Sequence, residues 1–218
     1  MKTRYLNFGS KYAYKASYYL AQTVCDVFAR IELDGYENIP QTPCIIVGNH
    51  VSYLDPFAMG FFEEGEQCVV ARDSLMKNAL AKRILLSLNA IPIKRGEAGN
   101  LGVFREILRK IREGKSLIIF PEGTRSPDGR LQRGKAGVGL LAIKAGVPIV
   151  PIRSFGFEDV LPRSNVLRGG MRIYMRVGKP VMPSEIDPGK DAPERAQKIV
   201  DALMERIADI ERPVLRDL

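Results

Sequence analysis

The sequence predicts an α/β protein with a mixed, largely parallel central sheet flanked by helices. Short apolar segments rich in β-branched residues alternate along the chain with segments whose apolar residues recur at helical spacing. The strand-like segments are nearly continuous in apolar residues, as expected when helices cover both faces of a sheet. The composition, 45% hydrophobic and 27% charged, is sufficient for one large core within 218 residues.

Six segments are predicted to be strands because each is short and apolar. They are residues 44–49, 68–72, 90–93, 116–120, 147–152 and 171–177. Apolar and polar residues alternate clearly in the last of these segments, and 90–93 has the weakest pattern. No apolar run approaches the ~20 residues that a membrane-spanning helix needs. We therefore expect a protein that is soluble or lies on a membrane surface.

Helices are predicted where apolar residues recur at intervals of three and four. The spacing predicts helices over residues 99–113 and 137–146, with Gly146 ending the second. A long amphipathic helix is predicted near the C-terminus. Its expected start is a capping box, with Asp191 as N-cap and Glu194 three residues later.

The N-terminal segment differs in composition from the rest of the chain. Residues 1–28 contain five of the eight tyrosines and four basic residues, with no acidic residue before Asp26. Aromatic side chains mixed with Lys and Arg on a helix suit the membrane interface. We predict that residues 1–33 form an amphipathic, aromatic-basic helical segment for membrane association and that residues 34–218 form the α/β domain. The alternative is a helix that packs on the domain through the same aromatics.

The positive charge is concentrated in the middle of the chain. The net charge is −3 over residues 1–70, +9 over residues 71–135 and +2 over residues 136–218. Such a field indicates an anionic partner, which can be a nucleic acid, an acidic lipid, an acidic protein or a phosphorylated substrate. We expect no nucleic acid, because the aromatics lie away from the basic section. We expect no metal, because one histidine and three scattered cysteines do not form a ligand set.

Two predicted strands end in polar residues of the kind found in active sites. The first, residues 44–49, is followed by His50 and then by Asp55. Asp55 before Pro56 is a good helix N-cap, so this pair has a structural interpretation. It also has a catalytic one, since a carboxylate that accepts from Nδ1 leaves Nε2 as an oriented base. No G-x-S-x-G nucleophile motif is present, which favours direct attack by a substrate hydroxyl.

The second strand, residues 116–120, runs into the sequence PEGTRS. Glu122 can bind a substrate hydroxyl, and the forked donors of Arg125 suit a phosphate. Backbone N–H groups near Gly123 can stabilise an oxyanion. The residues that follow, 126–129, read as an ordinary turn with Pro at its second position and Gly at its fourth.

Together these blocks resemble the glycerolipid acyltransferase family, in particular its lysophosphatidic acid acyltransferases. NHVSYLDP resembles the family's His-four-residues-Asp motif (HX4D), FPEGTRS its Glu- and Arg-bearing motif, and VPIVPI its apolar fourth block. The resemblance covers about residues 40–155. The second block departs from the family pattern, with Asn89 where Gly is frequent and Lys94 where Asp is frequent.

The resemblance implies that His50 is the general base and Asp55 its orienting partner. It also implies substrate-binding residues, which are Glu122, Gly123, Thr124, Arg125, Arg95 and Lys135. Lys135 has an alternative as a solvated residue at a helix start.

The implied reaction is transfer of a fatty acyl group from a thioester of coenzyme A or acyl carrier protein to the sn-2 hydroxyl of lysophosphatidic acid. It would give phosphatidic acid with no covalent intermediate and no cofactor. The implied location is the cytoplasmic face of a membrane, with an anionic membrane surface as partner and peripheral or monotopic attachment. The alternatives are an acyltransferase for another lysolipid or for glycerol 3-phosphate, and a non-catalytic peripheral lipid-binding module.

Overall fold

A computed structural model describes residues 14–16, 19, 23, 29–60, 66–94, 101–160 and 171–212. Within these residues the chain forms a seven-stranded sheet with helices on both faces. The strands are β1 Ala29–Asp34, β2 Ile45–Gly48, β3 Gln67–Arg72, β4 Ile91–Ile93, β5 Ser116–Ile119, β6 Ile149–Phe155 and β7 Met171–Val177. The helices are α1 Asp55–Gly60, α2 Ala79–Ser87, α3 Leu101–Arg112, α4 Ala136–Ala145, α5 Phe157–Val160, α6 Pro183–Ile186 and α7 Arg195–Ala208.

The sheet is mixed and largely parallel, as predicted. Its strand order is β1-β7-β6-β2-β5-β3-β4, and every neighbouring pair is parallel except β6 and β7. β2 lies between β5 and β6, with Ile46 opposite Ile118 on one side and Val150 on the other. All six predicted strands are present, with ends that differ by up to three residues.

Alternate residues of the central strands enter two separate cores. Ile45 and Val47 point into the core that α3, α4 and α7 cover, and Ile46 points into the core that contains Met59 and Phe157. All four residues of β2 are buried. Burial on both faces explains why the strand has no polar residues, since neither side of it meets water.

The helix at the C-terminus begins later than the sequence predicts. α7 starts at Arg195, and Glu194 precedes it with a left-handed backbone, φ 52°. The predicted N-cap at Asp191 is therefore wrong, because residues 191–194 form turns before the helix. The guanidinium of Arg195 pairs with Asp187, which anchors the start of the helix. The predicted end of α4 at Gly146 is confirmed, with φ 63° at that residue.

The sequence did not predict β1. Its residues 29–33 were assigned to the N-terminal helical segment, but the structure places them in an edge strand that pairs in parallel with β7. Apolar and charged residues alternate through Ala29–Asp34, which is a strand signal. The charged side chains pair across the edge, as Arg176 Nε does with Asp34 Oδ2 at 2.6 Å.

Most of the predicted N-terminal segment lies outside the described residues. Within it, Tyr14, Tyr19 and Thr23 are helical. Tyr14 is buried, and its hydroxyl accepts from the backbone N–H of Gln67 at 3.2 Å. Tyr19 is 60% exposed. Tyr14 thus packs on the domain. Among the described helices, none is both long and apolar enough to cross a membrane.

Candidate active site

The carboxyl end of β2 is fixed to its neighbour by a buried asparagine. Asn49 donates from Nδ2 to the carbonyl oxygen of Ser154 at 3.0 Å, and its Oδ1 accepts from the N–H of Ser154 at 2.8 Å. The side chain thereby replaces a backbone partner where β2 ends and β6 continues. These two bonds hold the backbone that leads into the next residue, His50, at the carboxyl end of β2.

His50 and Asp55 form a hydrogen-bonded pair. The distance between His50 Nδ1 and Asp55 Oδ2 is 2.9 Å, and the side chain of Asp55 is fully buried. An ionised carboxylate only accepts, so Nδ1 donates and the lone pair lies on Nε2. The His50 side chain is 17% exposed. This is the arrangement that a general base needs.

Asp55 also holds the start of α1. Its Oδ2 accepts from the backbone N–H of Val51 at 2.7 Å and of Ser52 at 2.8 Å. The helix begins at Asp55 itself, one residue earlier than its predicted N-cap position implies. Burial raises the pKa of Asp55, and the hydrogen bonds from His50, Ser52 and Val51 oppose that shift. The predicted N-cap bonding is therefore wrong, because the carboxylate accepts from N–H groups of the loop before the helix and its Oδ1 has no partner among the described residues.

The loop after β5 closes against the loop after β2. The Phe120 ring stacks on the His50 ring with centroids 4.2 Å apart and planes 19° apart. The N–H of Ser126 donates to the carbonyl oxygen of His50 at 2.7 Å. Because β2 and β5 are parallel neighbours, both loops leave the same edge of the sheet. The two polar strand ends therefore meet at this edge.

Glu122 is the most unusual group in this loop. It is 3% exposed, and neither carboxylate oxygen has a hydrogen-bond partner among the described residues. Burial raises its pKa to about 7; the nearby backbone amides of His50 and Gln132 partly oppose the rise without completing hydrogen bonds, and the charge of Asp55 adds to it. A buried carboxyl with two free acceptors is prepared for a ligand that brings donors.

The guanidinium of Arg125 lies over an aromatic ring. Its Cζ is 3.6 Å from the centroid of Tyr53, which reaches over from the loop after β2. Arg125 Nη1 is buried and has no hydrogen-bond partner among the described residues. Stacking fixes the plane of the fork and leaves this donor for an acceptor outside the described chain.

Gly123 and Lys135 are in contact. Gly123 has φ +69°, and a Cβ at that position would lie 2.6 Å from Lys135 Nζ. The backbone N–H of Lys135 donates to the carbonyl oxygen of Pro121 at 2.9 Å, and Lys135 is the N-cap of α4. The exposed Lys135 side chain thus turns back over the loop at Gly123.

Most of the predicted site residues lie together at the carboxyl edge of β2 and β5. Thr124 is half-buried in the same loop. Arg95 lies outside the described residues, two positions beyond the end of β4. In the described part of the chain, no group of three or more His, Cys, Asp or Glu side chains is placed to hold a metal ion.

Sequence reasoning missed Tyr53 and Glu158. Tyr53 touches Arg125 only because two loops far apart in the chain meet. Glu158 lies on α5, directly after β6, so the strand-end rule that found Glu122 also applies to it. Burial raises the pKa of Glu158, and the negative charges of Asp159 and Asp55 add to that rise.

The chain matches proteins of one family. A family model described as Acyltransferase matches residues 30–154, which is more than half of the chain. A 1-acyl-sn-glycerol-3-phosphate acyltransferase of Pseudomonas aeruginosa is 30% identical over 193 residues, which is 85% of this chain and 73% of that protein. A chloroplastic 1-acyl-sn-glycerol-3-phosphate acyltransferase of Brassica napus is 29% identical over 166 residues, 73% of this chain. The chain spans about half the length of the two chloroplastic relatives that it matches, 47% and 46%.

A solved structure has the same fold. The crystal structure of PlsC, the 1-acyl-sn-glycerophosphate acyltransferase of Thermotoga maritima, superposes with a TM-score of 0.73 at 26% identity. The alignment covers 94% of this chain and 82% of that one. The family match runs from β1 into β6 and so includes both loops that build the site, and on this basis the chain belongs to the acyltransferase family.

Proposed function

We propose that this protein transfers a fatty acyl group from an acyl thioester to the sn-2 hydroxyl of lysophosphatidic acid. The observation that carries the proposal is the 2.9 Å contact between His50 Nδ1 and the buried Asp55, beside two carboxylate oxygens and a guanidinium nitrogen without partners. The names of the relatives from Pseudomonas aeruginosa and Brassica napus and of the Thermotoga maritima structure support this choice of acceptor.

The proposed chemistry is direct attack with His50 as general base. Nε2 takes the proton of the acceptor hydroxyl as its oxygen bonds to the thioester carbon. The tetrahedral oxyanion collapses, the C–S bond breaks, and the departing thiolate takes the proton back from His50. Asp55 holds the ring in the correct tautomer and balances the imidazolium charge. A thioester carbonyl is already electrophilic, so no covalent enzyme intermediate is invoked.

The loop after β5 and the start of α4 bind the acceptor in this proposal. Arg125 binds the phosphate with its free Nη1, and Lys135 adds charge from the start of α4. Arg95 is a further phosphate ligand in this proposal. Glu122 helps Arg125 to position the glycerol phosphate, and its pKa of about 7 keeps part of the population protonated at neutral pH. The backbone near Gly123 and Thr124 lies beside the developing oxyanion.

The remaining partners follow from the substrates. The donor is an acyl thioester of coenzyme A or of acyl carrier protein, and both are anionic. The acceptor is a lipid, so the protein works at an anionic membrane surface, on its cytoplasmic face. Residues 1–28, which precede β1, are the proposed attachment segment.

The test is thiol release from a long-chain acyl-coenzyme A with and without lysophosphatidic acid. Release should need the acceptor and should fall at least ~100-fold in His50→Ala, because base catalysis contributes about 10²–10⁴-fold. Lys144→Ala, an exposed residue on α4, is the control and should keep full activity. Full activity in His50→Ala would exclude the mechanism. Activity with glycerol 3-phosphate or with a different lysolipid, and none with lysophosphatidic acid, would exclude the acceptor.

A further inference from the structure

A second surface, which begins at the carboxyl end of β3, is both apolar and basic. It comprises residues 72–88, which contain the 3-10 turn Asp73–Met76 and helix α2, and we call it the 72–88 surface. Not one side chain in this range is buried. By contrast, α3, α4 and α7 each bury apolar residues against the sheet.

The exposed side chains of this surface include three leucines. Leu75 is 39% exposed, Leu80 68% and Leu86 47%. A surface helix of a globular protein normally turns its apolar stripe toward the core. Here the apolar residues of α2 stay accessible, and a contiguous exposed patch of this kind marks an interaction site.

The positive charge of the 72–88 surface indicates an anionic partner. Arg72, Lys77, Lys82 and Arg83 are all exposed, and Asp73 is the single acidic residue in the range. Arg83 lies three residues from both Leu80 and Leu86, so its side chain neighbours each of the two leucines on the helix surface. A basic and apolar face of this kind binds at the headgroup level of an anionic bilayer, with leucines below the phosphates and cations among them.

The position of the surface connects it to the candidate active site. The Asp73–Met76 turn packs against β3 and β4 where β3 ends. β3 is the neighbour of β5, whose carboxyl end carries Glu122 and Arg125. The start of the 72–88 surface therefore lies at the same edge of the sheet as the candidate site. α2 then runs back toward the amino edge, because β3 and β4 are parallel.

We propose that the 72–88 surface docks on anionic lipid. The leucines enter the interfacial layer, and the four cations contact lipid phosphates. This contact is separate from the proposed attachment through residues 1–28. It goes beyond the proposed function, because docking requires neither the acceptor nor the thioester.

The chain contains no tryptophan, so a single introduced one reports on its own position. Leu80→Trp is the probe, and Leu140→Trp on α4, at a residue 44% exposed, is the matched control. The vesicles are phosphatidylcholine mixed with phosphatidylglycerol, with and without brominated acyl chains, and contain no lysophosphatidic acid. We expect the emission of Leu80→Trp to shift to the blue and to be quenched by the brominated chains. The control should show neither effect.

Three results would overturn the proposal. Blue emission of Leu80→Trp before vesicles are added, with no further change, would mean that another part of this chain covers the surface. A blue shift that grows with protein concentration alone would assign it to a second copy. Flotation of the protein with vesicles while both probes stay unquenched would place all docking elsewhere, as through residues 1–28.

A charge variant tests the cations separately. Lys82→Gln combined with Arg83→Gln should weaken partitioning into anionic vesicles about tenfold to thirtyfold, since each basic residue near such a surface contributes to binding. Lys144→Gln combined with Lys198→Gln, at exposed residues on α4 and α7, is the matched control and should change it much less. Equal losses in the two double variants would show attraction by net charge alone and refute the docking surface. Because no substrate is present, a failure of the acyltransferase proposal would leave these results unchanged.

Discussion

At the scale of single residues, Tyr53 links the two loops of the site. Its ring carries the Arg125 guanidinium at 3.6 Å from the centroid, and Tyr53 itself lies between His50 and Asp55 in the chain. The proposed phosphate ligand in one loop therefore rests on a side chain of the loop that holds the proposed base. Tyr53 is a positioning residue for Arg125 in the proposed reaction.

Replacing Tyr53 should change acceptor binding and leave the chemistry intact. We expect Tyr53→Leu to raise the KM for lysophosphatidic acid about threefold to fivefold with little change in kcat, because an exposed cation–π contact is worth about 0.5–1 kcal/mol. Tyr53→Phe keeps the ring and should keep the KM. Steady-state kinetics with varied acceptor would measure both. Equal effects of Leu and Phe would show that the hydroxyl, not the stacked ring, matters.

Glu122 should make the stability of the fold depend on pH. Its pKa is raised to about 7 in the folded state, so between its ordinary value and 7 the folded protein holds more protons than the unfolded chain. The free energy of unfolding therefore falls as the pH rises through this window. The expected loss between about pH 5 and about pH 8 is ~2 kcal/mol.

The matched variant is Glu122→Gln, which has no proton to lose. Urea unfolding of both proteins at several pH values would show a smaller decrease in the free energy of unfolding for the variant across the same window. Parallel curves for the two proteins would mean that Glu122 does not titrate with a raised pKa.

At the scale of elements, α4 and α7 approach so closely that a glycine separates them. A Cβ on Gly139 would lie 1.9 Å from the carbonyl oxygen of Ala196 in α7. That oxygen is backbone and cannot move away without moving the helix. The N-terminal ends of both helices, and with them Lys135 at the start of α4, depend on this contact.

Alanine substitutions on α4 should therefore act in opposite directions. Gly139→Ala should lower the free energy of unfolding by about 1–3 kcal/mol, as overpacking does. Gly137→Ala, two residues away with nothing near its Cβ position, should raise it by about 0.5–1 kcal/mol, because Gly is a poorer helix former than Ala. Denaturant unfolding would measure both. A tolerated Gly139→Ala would show that the two helices can separate at no cost.

The elements that the sequence predicted correctly are those whose signal is local. Residues 44–49 and 116–120 are continuous apolar runs followed at once by polar groups, and both proved to be central strands ending at the site. The Asp191 cap was wrong because a good capping pattern recurs in turns as well. The pairing of β1 with β7 depends on a partner about 140 residues away, which no local pattern specifies.

The contacts of the candidate site also divide into local ones, which the sequence can predict, and long-range ones, which it cannot. The contact of His50 with Asp55 spans five residues and could be predicted from their spacing. The stacking of Phe120 on His50 and of Arg125 on Tyr53 joins residues about seventy apart, so it required the parallel pairing of β2 and β5.

At the scale of the whole molecule, the excess of positive charge extends beyond the candidate site. Residues 71–135, with a net charge of +9, extend from the end of β3 to the start of α4. This section contains both the 72–88 surface and the loop with Arg125. A field of this size attracts anionic surfaces and anionic substrates from a distance.

Salt should therefore weaken attachment to anionic vesicles. Raising the ionic strength from physiological to about 1 M shortens the Debye length from about 8 Å to about 3 Å, so attraction between exposed charges and lipid is screened. We expect the bound fraction in a flotation assay to fall steeply with added salt for anionic vesicles and little for phosphatidylcholine vesicles. Binding independent of salt in both would mean that apolar contact alone holds the protein on the bilayer.

The reciprocal bonding of Asn49 with Ser154 fixes the strand end from which His50 starts, whereas Arg125 and Lys135 belong to a different connection. The proposed base and the proposed phosphate ligands are thus encoded in separate stretches of the gene, which meet where Tyr53 contacts Arg125. Under the proposed function, mutation can change the loop of Arg125 while the pair of His50 and Asp55 stays intact. A scaffold with this modularity is well suited to diversify into enzymes that share one reaction and differ in the molecule they acylate.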